Sequence, residues 1–414
     1  MKTLLRAFLT ALLFSGLVLA YNANLADAQE PTEVGGILHS DTTWTIENSP
    51  YSVTSTVQIP ENVTLKIDPG VTVTDNSTDY IMFLLHGKIE AHGTPSNKIT
   101  FIGGGDWVVF FNTGGVVSGP SLSLDYCIVK HGMSVLQSSC GYINLKNSEL
   151  IDLGRIGGAS SHIRNPESNI YIENNLFIDT NGFDIAETDE HIYIRYNLFK
   201  GNRGFLVKER VDTGFSPQAV VKYNTFIDMN ETVLMITSWG AQGNMDATEN
   251  YWGTTNTGLI ESWIQDGHTN IGIHAFIDYL PILTEPHPDT PTLSVTACFE
   301  YSPENVYASR KVTFDASASF VEYSQVVEYV WDFGDGNNAT TQSPTITYTY
   351  TDPEEYTVTL TAKAATCNTD TTQITLTVEP PPDPILPWLI VAVATVAVTV
   401  AAVAVFWKKR KSNQ

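Results

Sequence analysis

Two hexapeptides near the middle of the chain place acids and bases where they could act together. Gly182-Phe-Asp-Ile-Ala-Glu187 and Gly204-Phe-Leu-Val-Lys-Glu209 follow the same pattern 22 residues apart. On adjacent parallel strands this step stacks Glu187 directly on Glu209, at the inter-strand spacing of about 4.8 Å. Two carboxylates that close either bind a cation or push a pKa upward. Asp184, Asp189, Glu190, His191, Lys208, Arg210 and Asp212 lie nearby. Asp184, Glu187, Asp189 and Glu209 are therefore the candidate binding residues, and Asp184, Glu187 and Glu209 a candidate Ca²⁺ set. Lys208 and Arg210 are the candidate bases if the site turns a substrate over. The plain alternative is a solvated ladder of alternating charges.

The elements that must position these residues emerge from self-comparison. Tyr171-Ile-Glu-Asn-Asn-Leu-Phe177, Tyr193-Ile-Arg-Tyr-Asn-Leu-Phe199, Val220-Val-Lys-Tyr-Asn-Thr-Phe226 and Asp246-Ala-Thr-Glu-Asn-Tyr-Trp252 align without gaps. Asn175, Asn197, Asn224 and Asn250 form one column; Phe177, Phe199, Phe226 and Trp252 form another. The steps are 22, 27 and 26 residues, and Leu150 and Ile128 extend the apolar column upstream. A period of this length, with short β-branched stretches and no convincing helix, is one coil of a parallel β-solenoid. A lone coil cannot bury its inner face, so coils stack and like residues align. The aromatic column is then an internal stack, and the Asn column bridges successive turns.

With these repeats, residues 30 to 283 resemble the right-handed parallel β-helix family that includes pectate lyases and surface carbohydrate-associated proteins. The opening carries the family's first-coil features: Trp44, Ser49-Pro50-Tyr51-Ser52-Val53 and Val63-Thr-Leu-Lys-Ile-Asp-Pro-Gly-Val71. Gly87-Lys-Ile-Glu-Ala-His-Gly-Thr94 with Ile99-Thr-Phe101 follows suit, and Asn250-Tyr-Trp-Gly253 resembles a last coil, with Ile260, Ile264, Asp266 and Pro281 after it. The resemblance implies about ten coils. Polygalacturonase-like members use Asn-Thr-Asp, Asp-Asp, Gly-His-Gly and Arg-Ile-Lys motifs, and none stands in this region; Asn368-Thr-Asp370 lies beyond it. Lyase members use Ca²⁺ on carboxylates with an Arg or Lys base, a looser pattern that the 184 to 212 segment could satisfy.

Pro281, Pro286, Pro288 and Pro291 mark a linker over 284 to 291, and a second β domain occupies 292 to 379. Its strands alternate through Val312 and Phe314, Val327, Tyr329 and Trp331, Tyr356, Val358 and Leu360, and Ile374, Leu376 and Val378. That pattern suggests a sandwich. Trp331-Asp-Phe-Gly-Asp-Gly336, with Val312-Thr-Phe-Asp-Ala-Ser317 and Tyr356-Thr-Val-Thr-Leu360, resembles the polycystic-kidney-disease (PKD) domain. Glu354-Glu355 departs from it where the family has Gly. The resemblance implies an Ig-like spacer or interaction module. Asp332 and Asp335 are then expected to serve the turn, with Ca²⁺ binding as the alternative.

The ends set the compartment. Lys2 and Arg6 precede an apolar run from Ala7 to Ala20, and Ala26-Asp27-Ala28 supplies a small-x-small site, so 1 to 28 read as a secretory signal peptide. Residues 380 to 387 form a Pro-rich stalk. Trp388 to Trp407 is uncharged and long enough to span a bilayer as one C-terminal transmembrane helix. Lys408, Lys409, Arg410 and Lys411 place the 408 to 414 tail in the cytoplasm and the rest outside. Sequons stand at Asn62, Asn76, Asn230 and Asn338. Cys298 and Cys367 flank the second domain and are expected to form a disulfide; Cys127 and Cys140 stay open between bridged and free. None of the four has zinc-site spacing.

The whole chain has 22 basic and 45 acidic residues, a net charge of −23. Without signal and tail the charge is −28, from 16 basic and 44 acidic residues. A surface this acidic argues against nucleic acid and anionic lipid. It favours cations, neutral glycans or proteins. The expected protein is an all-β, membrane-anchored surface molecule that binds an extracellular glycan or surface protein, or builds envelope structure. The alternative is a tethered polysaccharide lyase or hydrolase.

Overall fold

A computed structural model describes residues 30–105, 108–112, 121–137, 142–154, 161–164, 169–186, 190–202, 204–210, 218–237 and 242–382. The signal segment, the span at 388–407, the basic tail, most of the stalk, Glu187, Asp189 and Cys140 lie outside the described residues. The described chain is all-β and divides into two compact units at Thr292/Leu293. Among the described residues no helix is long and apolar enough to cross a membrane.

The first unit is built from parallel pairings between strands that lie one repeat apart, 22 to 27 residues in the stretch that carries the aligned segments. Ten strands form one sheet in chain order, from Thr42–Trp44 to His274–Asp278. Seventeen others form a second sheet, in which the long strand Tyr51–Ile59 pairs with both Thr72–Asp75 and Ile81–Leu85. That strand joins two parallel stacks. One runs through Leu176–Thr180 and Leu198–Asn202, the other through Phe183–Ala186 and Val207–Arg210. Each repeat thus adds one strand to each of three parallel stacks. These long parallel sheets fit a β-helix.

Inside, the two expected columns are present. Phe177 stacks on Phe199 at 4.5 Å, Phe199 on Phe226 at 5.3 Å, and Phe226 meets Trp252 at 4.7 Å, all four buried. Upstream the column continues through Leu150 to Val129, one residue past the expected Ile128, which pairs with Glu149 instead. Buried beside it runs the asparagine ladder. Asn197, Asn224 and Asn250 each accept at Oδ1 from the backbone N–H of the previous repeat's Asn at 2.8 to 3.0 Å, and Asn175 accepts from the Ser148 N–H at 3.0 Å. Each Nδ2 reaches a carbonyl such as Leu145 or Ile172. Such a ladder satisfies polar groups at a corner where no sheet bond is available.

The same corner continues upstream through Ser148 and Cys127, and the residue before each corner position is left-handed: Tyr126, Asn147, Asn174, Tyr196, Tyr223 and Glu249 all have φ between 49 and 61°. Asn suits this region; Tyr is uncommon in it. An α-helix breaks the helix-free expectation: Thr257–Ser262, whose N-cap Asn256 accepts from the Leu259 N–H.

The second unit has a five-stranded, a three-stranded and a two-stranded sheet. Trp331 and Phe333 are buried with Phe299 and Phe314, and Asp332 is exposed, as its alternation requires. Val327 is exposed rather than inside, because strand Glu328–Asp332 begins after it. Asp332 accepts from the Gly334 N–H, and Asp335 from Asn337 N–H and Tyr348 O–H, so both carboxylates shape the turn.

The bridge expected between Cys298 and Cys367 is not formed: both are exposed free thiols. Cys298 sits in a segment tied through its backbone to Ser319, and Cys367 in a turn at φ 66°. Cys127 is a buried free thiol.

Candidate functional site

The segment around 184 to 210 does not assemble as the 22-residue step predicts. Register pairs Asp184 with Lys208 and Ile185 with Glu209, a step of 24. Two residues are absorbed between Asn202 and Leu206, where Gly204 takes positive φ. Gly182 therefore lies over Leu206 rather than Gly204; a Cβ there would come within 1.6 Å of the Leu206 carbonyl oxygen. Ile185 is the residue paired with Glu209, and Glu187 lies outside the described residues.

Alternation then separates the predicted site residues. Asp184, Lys208 and Arg210 share one face: the Asp184 carboxylate accepts from Arg210 Nε at 2.9 Å and Lys208 Nζ at 3.4 Å. Glu209 faces the other way and is 2 % exposed. Its carboxylate accepts from the Gln218 and Ala219 N–H groups at 2.5 and 3.1 Å, tying the end of Val207–Arg210 to the start of Ala219–Lys222. Burial pushes its pKa up to about 7. Asp184 and Glu209 thus face opposite ways and do not share one Ca²⁺; Glu187, the third residue of the expected set, lies outside the described residues. Among the described residues no group of three or more His, Cys, Asp or Glu is placed to hold a metal. The two candidate bases spend their charge on Asp184.

A different surface carries the denser recognition chemistry. On the outer face of the ten-stranded sheet, Tyr171 pairs with Tyr193 and Glu173 with Arg195. The tyrosine rings stack at 5.2 Å, and His191 stacks on Tyr193 at 5.9 Å. The Arg195 guanidinium lies 4.7 Å from the Tyr193 centroid and the Lys146 ammonium 5.5 Å from that of Tyr171. Glu173 receives both Lys146, at 3.1 Å, and Arg195, at 2.5 Å. Cation–π and ion-pair contacts together hold these side chains in fixed, half-exposed positions. Exposed Tyr142 extends the patch by one strand. One sequence signal marks it: Tyr171 and Tyr193 repeat at the step of 22, at the outward positions of their strands.

The Pro-rich stretch after the last repeat is not a bare linker. Glu249 N–H donates to the Pro281 carbonyl and Leu283 N–H to that of Asn250. His287 lies 4.9 and 5.1 Å from the stacked rings of Tyr196 and Tyr223, and Thr290 is buried against Thr225. The segment thus runs back along the asparagine corner. The four sequon asparagines, Asn62, Asn76, Asn230 and Asn338, are all exposed.

Residues 298–378 match the family model of the PKD domain, and this chain contains that domain. No curated protein matches the chain. Among solved structures, the PKD1 domain of Vibrio anguillarum Epp is 31 % identical over 21 % of this chain and 96 % of its own, with a TM-score of 0.19. The PKD1 domain from Vibrio cholerae metalloprotease PrtV is also 31 % identical, over 21 % of this chain and 98 % of its own, at a TM-score of 0.18. A structure described as carbohydrate-binding modules from the β-sandwich superfamily is 37 % identical over 21 % of this chain, at a TM-score of 0.21. The chain spans about a third of that protein's length (35 %).

Proposed function

We propose that this is a secreted, membrane-anchored surface protein in which a right-handed parallel β-helix presents a binding or structural face and the PKD domain acts as a spacer. The observation that carries the reading is the fixed Tyr171–Tyr193 pair with its Lys146–Glu173–Arg195 network, on the outside of the ten-stranded sheet. Tyr and Arg supply large contact area and directed hydrogen bonds at little entropic cost, which is why they dominate recognition surfaces. The charge of −28 on the part outside the membrane directs the choice of partner to a neutral glycan or a surface protein. The signal, the span at 388–407 and the basic tail support display with the tail in the cytoplasm; the exposed sequons suit glycosylation.

Turnover by a tethered lyase or hydrolase is the weaker reading. Its two candidate bases are both engaged by Asp184, and its second acid, Glu209, faces the interior. The test is a screen of the purified full chain against polysaccharides and glycans, with and without Ca²⁺, reading both binding and product release. Binding without product supports the proposal; unsaturated uronides released by the wild type and lost in Arg210→Ala would contradict it.

A further inference from the structure

A groove of about 380 Å³ lies at the asparagine corner, on the side where the returning segment 289–292 forms one wall. This volume falls in the range of small-molecule sites. Tyr126 and Pro95 supply flat apolar surface, and Asn147 supplies a carboxamide. Lys98 and Glu149, 51 residues apart, meet as an ion pair in its lining. Asp289 also lines it, exposed to solvent, with its carboxylate 3.8 Å from His287 Nδ1.

The walls are fixed before any ligand arrives. Tyr126 is held in a left-handed corner whose carbonyl accepts from the Ile99 N–H. Asn147 donates through Nδ2 to Asp125 at 2.8 Å. The returning wall is pinned by buried Thr290, whose hydroxyl donates to the His287 carbonyl at 2.6 Å.

We infer that this groove is a binding subsite for one neutral sugar unit of a glycan. It rests on the reading of the chain as a binding module and gives that reading a ligand class. The Lys98–Glu149 pair is internally neutralised, so the remaining carboxylate of Asp289 and the acidic surroundings repel anionic ligands. What remains suits a polyhydroxylated ring. Its apolar C–H face packs on the Tyr126 ring, and its hydroxyls find an ammonium donor, carboxylate acceptors and a carboxamide that does both.

The test is saturation-transfer NMR on the full chain with D-glucose, D-galactose, D-mannose and N-acetyl-D-glucosamine as probes. At least one sugar is expected to bind. Tyr126→Asn, which keeps a residue tolerant of the left-handed corner, is expected to weaken it tenfold or more. Asp289→Ala, at an exposed position that leaves the fold intact, is expected to weaken it at least threefold, and Lys363→Ala in the second unit to leave it unchanged. Failure of all four sugars, or binding that survives both groove variants, overturns the subsite. If longer glycans still bind in the separate glycan screen, or if the sugar signal is lost only in Arg195→Ala, the subsite falls while the binding-module reading stands.

Discussion

Asn197 Oδ1 accepts two hydrogen bonds from one residue of the preceding repeat, the backbone N–H of Asn175 at 2.9 Å and its Nδ2 at 3.0 Å. Its own Nδ2 donates to the Ile172 carbonyl and to Asn224 Oδ1. One side chain thereby satisfies polar groups in the repeats on both sides of its own, all of them away from water. Asn197→Ala leaves several of these groups unsatisfied, at about 1–3 kcal/mol each. Chemical denaturation should show a loss of about 3 kcal/mol or more, against little change for the exposed Asn338→Ala.

The aromatic column makes a separate claim on stability. Phe199 is fully buried between Phe177 and Phe226. Phe199→Ala is expected to cost about 3–5 kcal/mol, and Phe199→Leu much less. Equal losses for the two variants in urea unfolding would argue against a tightly packed stack.

These two columns were legible in the sequence because their spacing is conserved through each repeat, and a parallel register transmits it. The predicted acid pair was not legible for the converse reason. Two extra residues between Asn202 and Leu206 change the step from 22 to 24, and the Gly182 and Gly204 that invited the alignment serve different turns. The prolines from 281 to 291 read as a linker because composition reports backbone stiffness, not docking. Only His287 against Tyr196 and Tyr223, and Thr290 against Thr225, reveal the packed path.

Glu209 gives a pH dependence with a definite sign. Its folded pKa of about 7 lies above the ordinary 4.5, so the folded state binds its proton more tightly than the unfolded state does. Its contribution is fully present below about pH 4.5 and is lost as pH rises through 7. The difference amounts to roughly 3 kcal/mol at 1.36 kcal/mol per unit. Glu209→Gln should flatten the stability profile between pH 5 and 8 relative to wild type. An unchanged slope would mean that Glu209 does not hold its proton.

Thiol accessibility checks the second unit. Cys298 and Cys367 are exposed and unbridged, whereas Cys127 is buried. Under native, non-reducing conditions a maleimide is expected to label Cys298 and Cys367, and to reach Cys127 only after unfolding. Mass spectrometry showing Cys298 joined to Cys367 would contradict the free-thiol arrangement.

The most direct measurement of the binding account is glycan and surface-protein binding by the full chain, wild type against Tyr193→Ala and Arg195→Ala. Both variants change half-exposed side chains, so melting temperatures should move little. The account predicts binding by the wild type without product release, unaffected by chelation of Ca²⁺ and weakened at least tenfold in both variants. Binding that is indifferent to both changes, or Ca²⁺-dependent release of unsaturated product, would contradict it.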